Sequence, residues 1–371
     1  MLRFLLLFLV IFLFLPTLSH AQTPPTSSTE YTKARVIRIE EEGKKTIGNK
    51  ENLYQKVRVQ LLEGDEKGKE ISIEYGGLLI ITEAQKIAPN QTLIISKTEQ
   101  PAGQATYSII DRYRLPSLVW FFVGFIIFVT AFTGWKGIGA LLGMLVSLAI
   151  IMLFIVPQII TGRDPLLISI LGSFMIMLTT IYLAHGFSKR TTIAVISTFI
   201  SLILTGIFAI FFVNVANLSG LGSEDAYNLL QGFGGTLNIQ GLLLGGIIIG
   251  ALGVLDDTTT TQSATITELA EANPKYTVKD LIRRGMVVGR EHITSLVNTL
   301  VLAYAGAAIG VFIFIYLSLQ NSNQPWWIIF NSEIIAEEIV RTLAGSFGLI
   351  LAVPITTVLA AFFAKYSVKI K

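Results

Sequence analysis

The sequence predicts a mostly α-helical polytopic membrane protein, with about seven transmembrane helices behind a small N-terminal extracytoplasmic β-barrel-like domain. Three observations carry that prediction. Hydrophobic residues make up 52% of the 371 residues and charged ones 14%, with a mean hydropathy of +0.65, more apolar surface than one soluble core can hide. Apolar runs long enough to cross a bilayer recur from Pro116 onward. Ahead of them, short segments alternate apolar and polar side chains with the period of a strand.

Residues 1–21 read as an export signal. Arg3 precedes an apolar stretch from Phe4 to Leu15, and Ser19-His20-Ala21 ends it with the small residues that a signal peptidase reads, so cleavage is expected after Ala21. An uncleaved first helix is the competing reading, but the stretch is shorter than the ~20 residues that span a bilayer.

Residues 22–115 form the β-rich domain, of the OB or SH3-like kind. A Pro, Ser and Thr rich linker runs from 22 to 30. Val57, Val59 and Leu61 alternate with Lys56, Arg58 and Gln60, a polar turn follows from Glu63 to Gly68, and Ile71, Ile73 and Tyr75 then alternate with Ser72 and Glu74. This is a hairpin with one buried face. The runs Lys33 to Ile39, Thr92 to Ser96 and Thr106 to Asp111 bring the expected strands to five. Nothing in them clusters in a catalytic way. A rigid cap and a binding module both fit.

Residues 116–371 form the transmembrane domain, with spans expected near 117–134, 138–160, 165–184, 192–213, 239–255, 293–317 and 344–364. With the N-terminal domain outside, the expected inner segments hold Lys136, Lys189, Arg190, Lys275, Lys279, Arg283, Arg284, Arg290, Lys365, Lys369 and Lys371. The outer loops 214–238 and 319–332 hold no Lys or Arg, and Arg163 is the exception between spans. That asymmetry places the chain in the cytoplasmic membrane with its C-terminus inside. Small residues four apart (Gly139 with Gly143, Gly241 with Gly245, Gly246 with Gly250, Gly306 with Gly310) read as close-packing devices. Pro354, mid-span, predicts a kink.

The polar segment Asp256-Asp257-Thr258-Thr259-Thr260-Thr261 ends the fifth span. Its β-branched threonines are poor helix formers, so a broken helix is expected there. Asp257, Thr261 and Glu268 fall on a common helical face that offers oxygens to a cation, and Asn298 in the sixth span is a further polar group. The alternative is that the span ends at Leu255, the aspartates lie in interfacial water, and Thr265 with Glu268 is a capping box opening a cytoplasmic helix. Thr277 with Asp280 has the same spacing after the Asn273-Pro274 turn and starts a basic amphipathic stretch expected on the inner leaflet. His292 reads as interfacial. Ser332 is placed to cap a last helix carrying Glu337 and Arg341 at ion-pair spacing, with Glu338 beside them.

These residues resemble the YibE/F family of bacterial membrane proteins. The likeness rests on Leu-Gly-Val-Leu-Asp-Asp at 252–257, Arg-Gly-Met-Val-Val-Gly-Arg-Glu-His-Ile at 284–293, Asn298 to Gly306, and Ala336 to Leu349 with Pro354. It covers about 115 to 365, with Glu291 where the family pattern leads one to expect aspartate. The resemblance implies a multi-pass inner-membrane protein and no established activity or ligand.

Several function classes drop out. A net charge of +3 without an aromatic-interleaved basic patch lacks the footprint of nucleic-acid binding. The absence of cysteine and the presence of three histidines remove thiolate chemistry and leave little for an imidazole site; no metal is assigned and no cofactor is expected. The zinc-helix, nucleophile-elbow and phosphate-loop signatures of enzymes are missing, so no enzymatic activity is expected. The leading expectation is a transporter or channel-like protein for a small solute or ion, using Asp256, Asp257, Thr261, Glu268 and Asn298. The alternative is a non-transporting scaffold or sensor that binds a partner through its outer β domain. The expected partners are the lipid bilayer, a small solute or ion, and a second copy or a related membrane subunit.

Overall fold

The computed structural model describes residues 29–47, 50–77, 80–99, 105–321 and 325–368. The export signal, most of the linker, Lys369 and Lys371 lie outside the described residues. The rest divides into two compact units, one reaching Phe128 and the other starting at Val129.

The first unit is a five-stranded antiparallel sheet in the order β3-β2-β1-β4-β5, with β1 Thr29–Ile47, β2 Lys50–Leu61, β3 Glu70–Gly76, β4 Thr92–Glu99 and β5 Ala105–Arg112. The expected β2–β3 hairpin is present, with Val57 opposite Ile73 and Val59 opposite Ile71. Alternation puts Ala34, Val36, Val57, Val59, Leu61, Ile73, Leu93 and Ile95 in one core. The sheet is open, which corrects the closed barrel expected from sequence. Closure needs a ladder between β3 and β5, whereas each of these ends the sheet. Ile87, from the β3–β4 connection, completes the core instead. The buried Gln55 amide holds that connection, accepting from Ile87 N at 2.8 Å and donating to Ile87 O at 3.2 Å.

The second unit is helical. The helices are α1 Leu115–Thr133, which bridges the two units in sequence; α2 Trp135–Ile160, containing one wide turn at Ile151–Ile155 before Pro157; α3 Pro165–His185; α4 Lys189–Val215; α5 Glu224–Gly232; α6 Ile239–Ala272; α7 Val278–Ala307; α8 Ile309–Asn321; α9 Trp326–Phe330; and α10 Glu333–Val368. Six of them are long and apolar enough to cross a membrane, and α7 with α8 makes a seventh candidate bent by 68° at its break. These match the seven apolar runs read from sequence. Caps start the helices where the sequence offers them: Asp164 accepts from Leu167 N, Ser188 from Thr191 N and Asn238 from Gly241 N. Thr277 and Asp280 form the expected capping box. Ser332 does not cap α10; its hydroxyl is buried without a hydrogen-bond partner among the described residues.

Helices α4, α6 and α10 pack on one another, α3 packs on α6, α2 on α3 and α7 on α10. Two of the glycine pairs serve this packing. A side chain at Gly139 would meet Leu183 O of α3 at 2.5 Å, and one at Gly241 would meet Pro165 of α3 at 3.1 Å. Gly306 and Gly310 face open space instead. Helix α10 runs through Pro354 without a break, with Thr356 and Thr357 hydroxyls bonded to the Ala352 and Val353 carbonyls.

Candidate functional site

Helix α6 carries the polar segment, and it is continuous through all four threonines. The expected break is absent because tertiary bonds outweigh the weak propensity of threonine. Thr265, the alternative cap, lies mid-helix and bonds Thr261 O. At about 1.5 Å per residue, Asp256 sits roughly 26 Å from the start of α6.

Each residue turns a helix by about 100°, so Asp256, Thr259, Ser263 and Ile266 share a stripe with Leu252 and Leu255. That stripe faces inward: Leu252, Leu255, Thr259, Ser263 and Ile266 are all buried. Asp256 accepts from Thr180 Oγ1 of α3 at 3.3 Å. Thr259 Oγ1 meets Thr198 Oγ1 of α4 at 2.5 Å, and Ser263 Oγ donates to Arg190 O at 2.9 Å. Gln262 Nε2 donates to Gly285 O of α7 at 3.0 Å and to Thr357 Oγ1 of α10 at 2.7 Å. One helix is thus bonded to four neighbours. Gly285 and Gly289 permit the approach of α7: a side chain at Gly285 would collide with Ile266, and one at Gly289 would lie 3.2 Å from Gln262 Nε2.

The face expected to be functional points the other way. Asp257, Thr261 and Glu268 are at the surface, Glu268 within 3.9 Å of the Arg190 guanidinium. Asn298 is at the surface of α7. These residues are not gathered into one site. Thr180 meets Asp256, Thr198 meets Thr259, Gln262 meets Thr357 and Ser263 meets Arg190 O as separate bonds along α6, and none of these residues besides Asp256 is among the site residues expected from sequence. The phase of the buried leucines of α6 was the signal for the α6 members of that set. His292, expected at an interface, has its Nε2 buried without a hydrogen-bond partner among the described residues.

A second polar cluster lies at the other end of the bundle, where the loop after α4 meets the start of α10. Glu333 accepts from Ser219 N at 2.5 Å, Ser219 Oγ at 2.7 Å and Gly220 N at 2.9 Å. Glu337, 6% exposed, accepts from Gly222 N at 2.8 Å. Arg341 pairs through Nε with Glu338 at 3.4 Å, correcting the expected Glu337–Arg341 pair. Spacing alone does not choose between Glu337 and Glu338; the loop N–H decides by claiming Glu337. Glu337, Glu338 and Arg341, with Gly222, Ser223, Ala307, Ala308, Val311 and Ile334, line a cavity of about 260 Å³ where α7 breaks from α8. A wider hollow of about 530 Å³, lined by Asn214, Asn217, Asn238 and Gln240, lies nearby, but Asn238 and Gln240 already bond Gly241 N and Leu218 O.

Among the described residues no group of three or more acidic or imidazole side chains is placed to hold a metal ion. Residues 121–366 match the model of the YibE/F-like protein family. The chain belongs to that family. No curated protein and no solved structure matches it. The YibE/F match runs from within α1 to within α10, so it encloses both the α6 seam and the cavity at the α7–α8 break and leaves the β-sheet outside. The apolar helices and the YibE/F assignment together fit a multi-pass membrane protein.

Proposed function

We propose that the chain is a multi-pass protein of the cytoplasmic membrane that moves a small solute or ion, and that the solute binds at the α7–α8 break. The observation that carries this is the pairing of an interrupted, 68° bent apolar helix pair with a cavity lined by the buried Glu337. Ionisable groups are expensive at membrane depth, and broken helices are tolerated there where they line a cavity.

The orientation is supported by the way helix ends gather. Ser263 bonds Arg190 O and Lys365 Nζ bonds Pro274 O, so the basic ends of α4, α6, α7 and α10 share one end of the bundle. The Ser219–Gly222 loop and the start of α10, free of Lys and Arg until Arg341, share the other. Basic ends face the cytoplasm. The β unit is then outside, preceded by a cleaved signal. The apolar surface of α1 and α8, including Trp120, Phe121, Phe312 and Phe314, is covered by lipid or by a second subunit.

A scaffold or sensor is the second reading. It is favoured by a cavity of about 340 Å³ in the β unit, lined by Tyr31, Glu63, Glu66, Lys97 and Tyr107 among others. Osmotic swelling of vesicles containing the purified chain separates the two. With KCl, NaCl, methylammonium chloride and glycerol as test solutes, transport predicts swelling by at least one of them beyond empty vesicles. Swelling indistinguishable from empty vesicles for all four sinks the transport reading.

A further inference from the structure

We infer that the cavity at the α7–α8 break binds a small monovalent cation, either an alkali metal ion or a small ammonium. The inference rests on reading this cavity as the solute site and adds the class of solute.

The charges around the cavity are assigned one by one. Glu333 is satisfied by the N–H and hydroxyl of Ser219 and the N–H of Gly220. Glu338 is neutralised by Arg341. Glu337 receives one backbone N–H, from Gly222, on Oε1, and among the described residues no basic side chain forms an ion pair with it. Glu333 keeps its charge against neutral donors but does not line the cavity, so Glu337, 6% exposed, is the lining carboxylate without an ion-pair partner among the described residues. An unpaired charge in apolar surroundings is costly and draws a counter-charge.

The other walls suit a cation too. Ala307 and Ala308 bring the C-terminal end of α7, the negative end of its dipole, although the Ala308 carbonyl itself accepts from Val311 N and Phe312 N of α8. A water takes about 30 Å³ of liquid, so about 260 Å³ holds a monovalent ion with several waters or a small ammonium. A tightly chelated divalent ion asks for more carboxylate ligands than one free charge supplies.

The test is binding to the full chain in detergent, read as thermal unfolding followed by tryptophan fluorescence. KCl and methylammonium chloride are titrated separately against N-methylglucamine chloride, a bulky cation, at equal ionic strength. A saturable rise in Tm is expected with at least one small cation and not with the bulky one, and the responding salt distinguishes metal ion from ammonium. Glu337→Gln keeps an acceptor for Gly222 N and removes the charge; it should weaken the response by about tenfold or more. Ala308→Leu, which fills the cavity and leaves the carboxylate in place, should abolish it. Equal responses to all three salts, or an undiminished response in both variants, overturn the cation site. Swelling by glycerol without cation binding overturns the solute class and leaves transport standing. Cation binding without swelling by any test solute does the reverse.

Discussion

Glu337 and Gly222 are joined across 115 residues of chain by a backbone N–H donated to a carboxylate at 2.8 Å. The contact depends on glycine. A side-chain carbon at 222 would lie 2.6 Å from the Glu337 carboxyl carbon and 2.8 and 2.9 Å from its oxygens. The loop after α4 and the first turns of α10 therefore hold one another through main chain on one side and carboxylates on the other, with Glu333 making the second tie.

Gly222→Ala should push the flexible carboxyl end of Glu337 aside and break its bond to Gly222 N, lowering stability by about 1–3 kcal/mol, the usual worth of a hydrogen bond to a charged group. Thermal unfolding of the full chain in detergent measures it. A Tm equal to that of the parent would mean that the loop can retreat from Glu337 without loss, and the tie would then have no energetic role.

Gln262 makes a sharper case, because one amide bonds two helices. Gln262→Leu keeps the volume and removes the bonds to Gly285 O and Thr357 Oγ1. Interhelical bonds in membranes average about 0.6 kcal/mol and reach about 1.7, so the expected loss is about 1–2 kcal/mol. Denaturant or thermal unfolding checks it. If Gln262→Leu and Thr357→Val prove strictly additive when combined, the bond between them contributes nothing.

The strands and helices were largely legible in the sequence, because each follows from a local period, and so was the Thr277–Asp280 cap, whereas Ser332 and Thr265 do not cap. Val57, Val59 and Leu61 could alternate in no other way around Lys56, Arg58 and Gln60 and still bury one face. The site was less legible. Asp256 and Asp257 are adjacent and chemically identical, yet one points inward to Thr180 and the other to the surface. Only the phase of Leu252, Leu255 and Ile266 separates them, and grouping Asp257 with Thr261 and Glu268 on one face does not use that phase to choose the buried side. The open edges at β3 and β5 and the pairing of Arg341 with Glu338, while Gly222 N takes Glu337, are long-range outcomes that no local pattern carries.

The chain has no cysteine, so single cysteines report on sidedness without background. With the β unit outside, Ser223→Cys should react with a membrane-impermeant maleimide in intact spheroplasts. Lys279→Cys, in the basic stretch that opens α7, should react only after permeabilisation. The reverse pattern inverts the orientation proposed above.

The β unit should weaken in acid. The Tyr107 hydroxyl and then Lys69 hold the Glu66 carboxyl below the usual range, Arg114 does the same for Asp111, and Lys86 followed by Gln55 for Glu42. A carboxylate depressed in the folded state adds stability above its unfolded value, about 4.3 for Glu and 3.9 for Asp, and that contribution fades as pH falls through the lower folded value. Lys33 and Lys86 are raised, by Glu63 and by Glu83, so their contribution is present below about pH 10.4 and fades at higher pH. These groups are exposed and each effect is small. Hydrogen exchange across β1 to β5, corrected for intrinsic rates, should therefore show level protection from about pH 6 to 9 and a decline below about pH 4. Tyr107→Phe removes the largest influence on Glu66 and should make that decline shallower. Identical pH profiles for the variant and the parent would show that the Tyr107–Glu66 bond is not part of what holds the sheet together in acid.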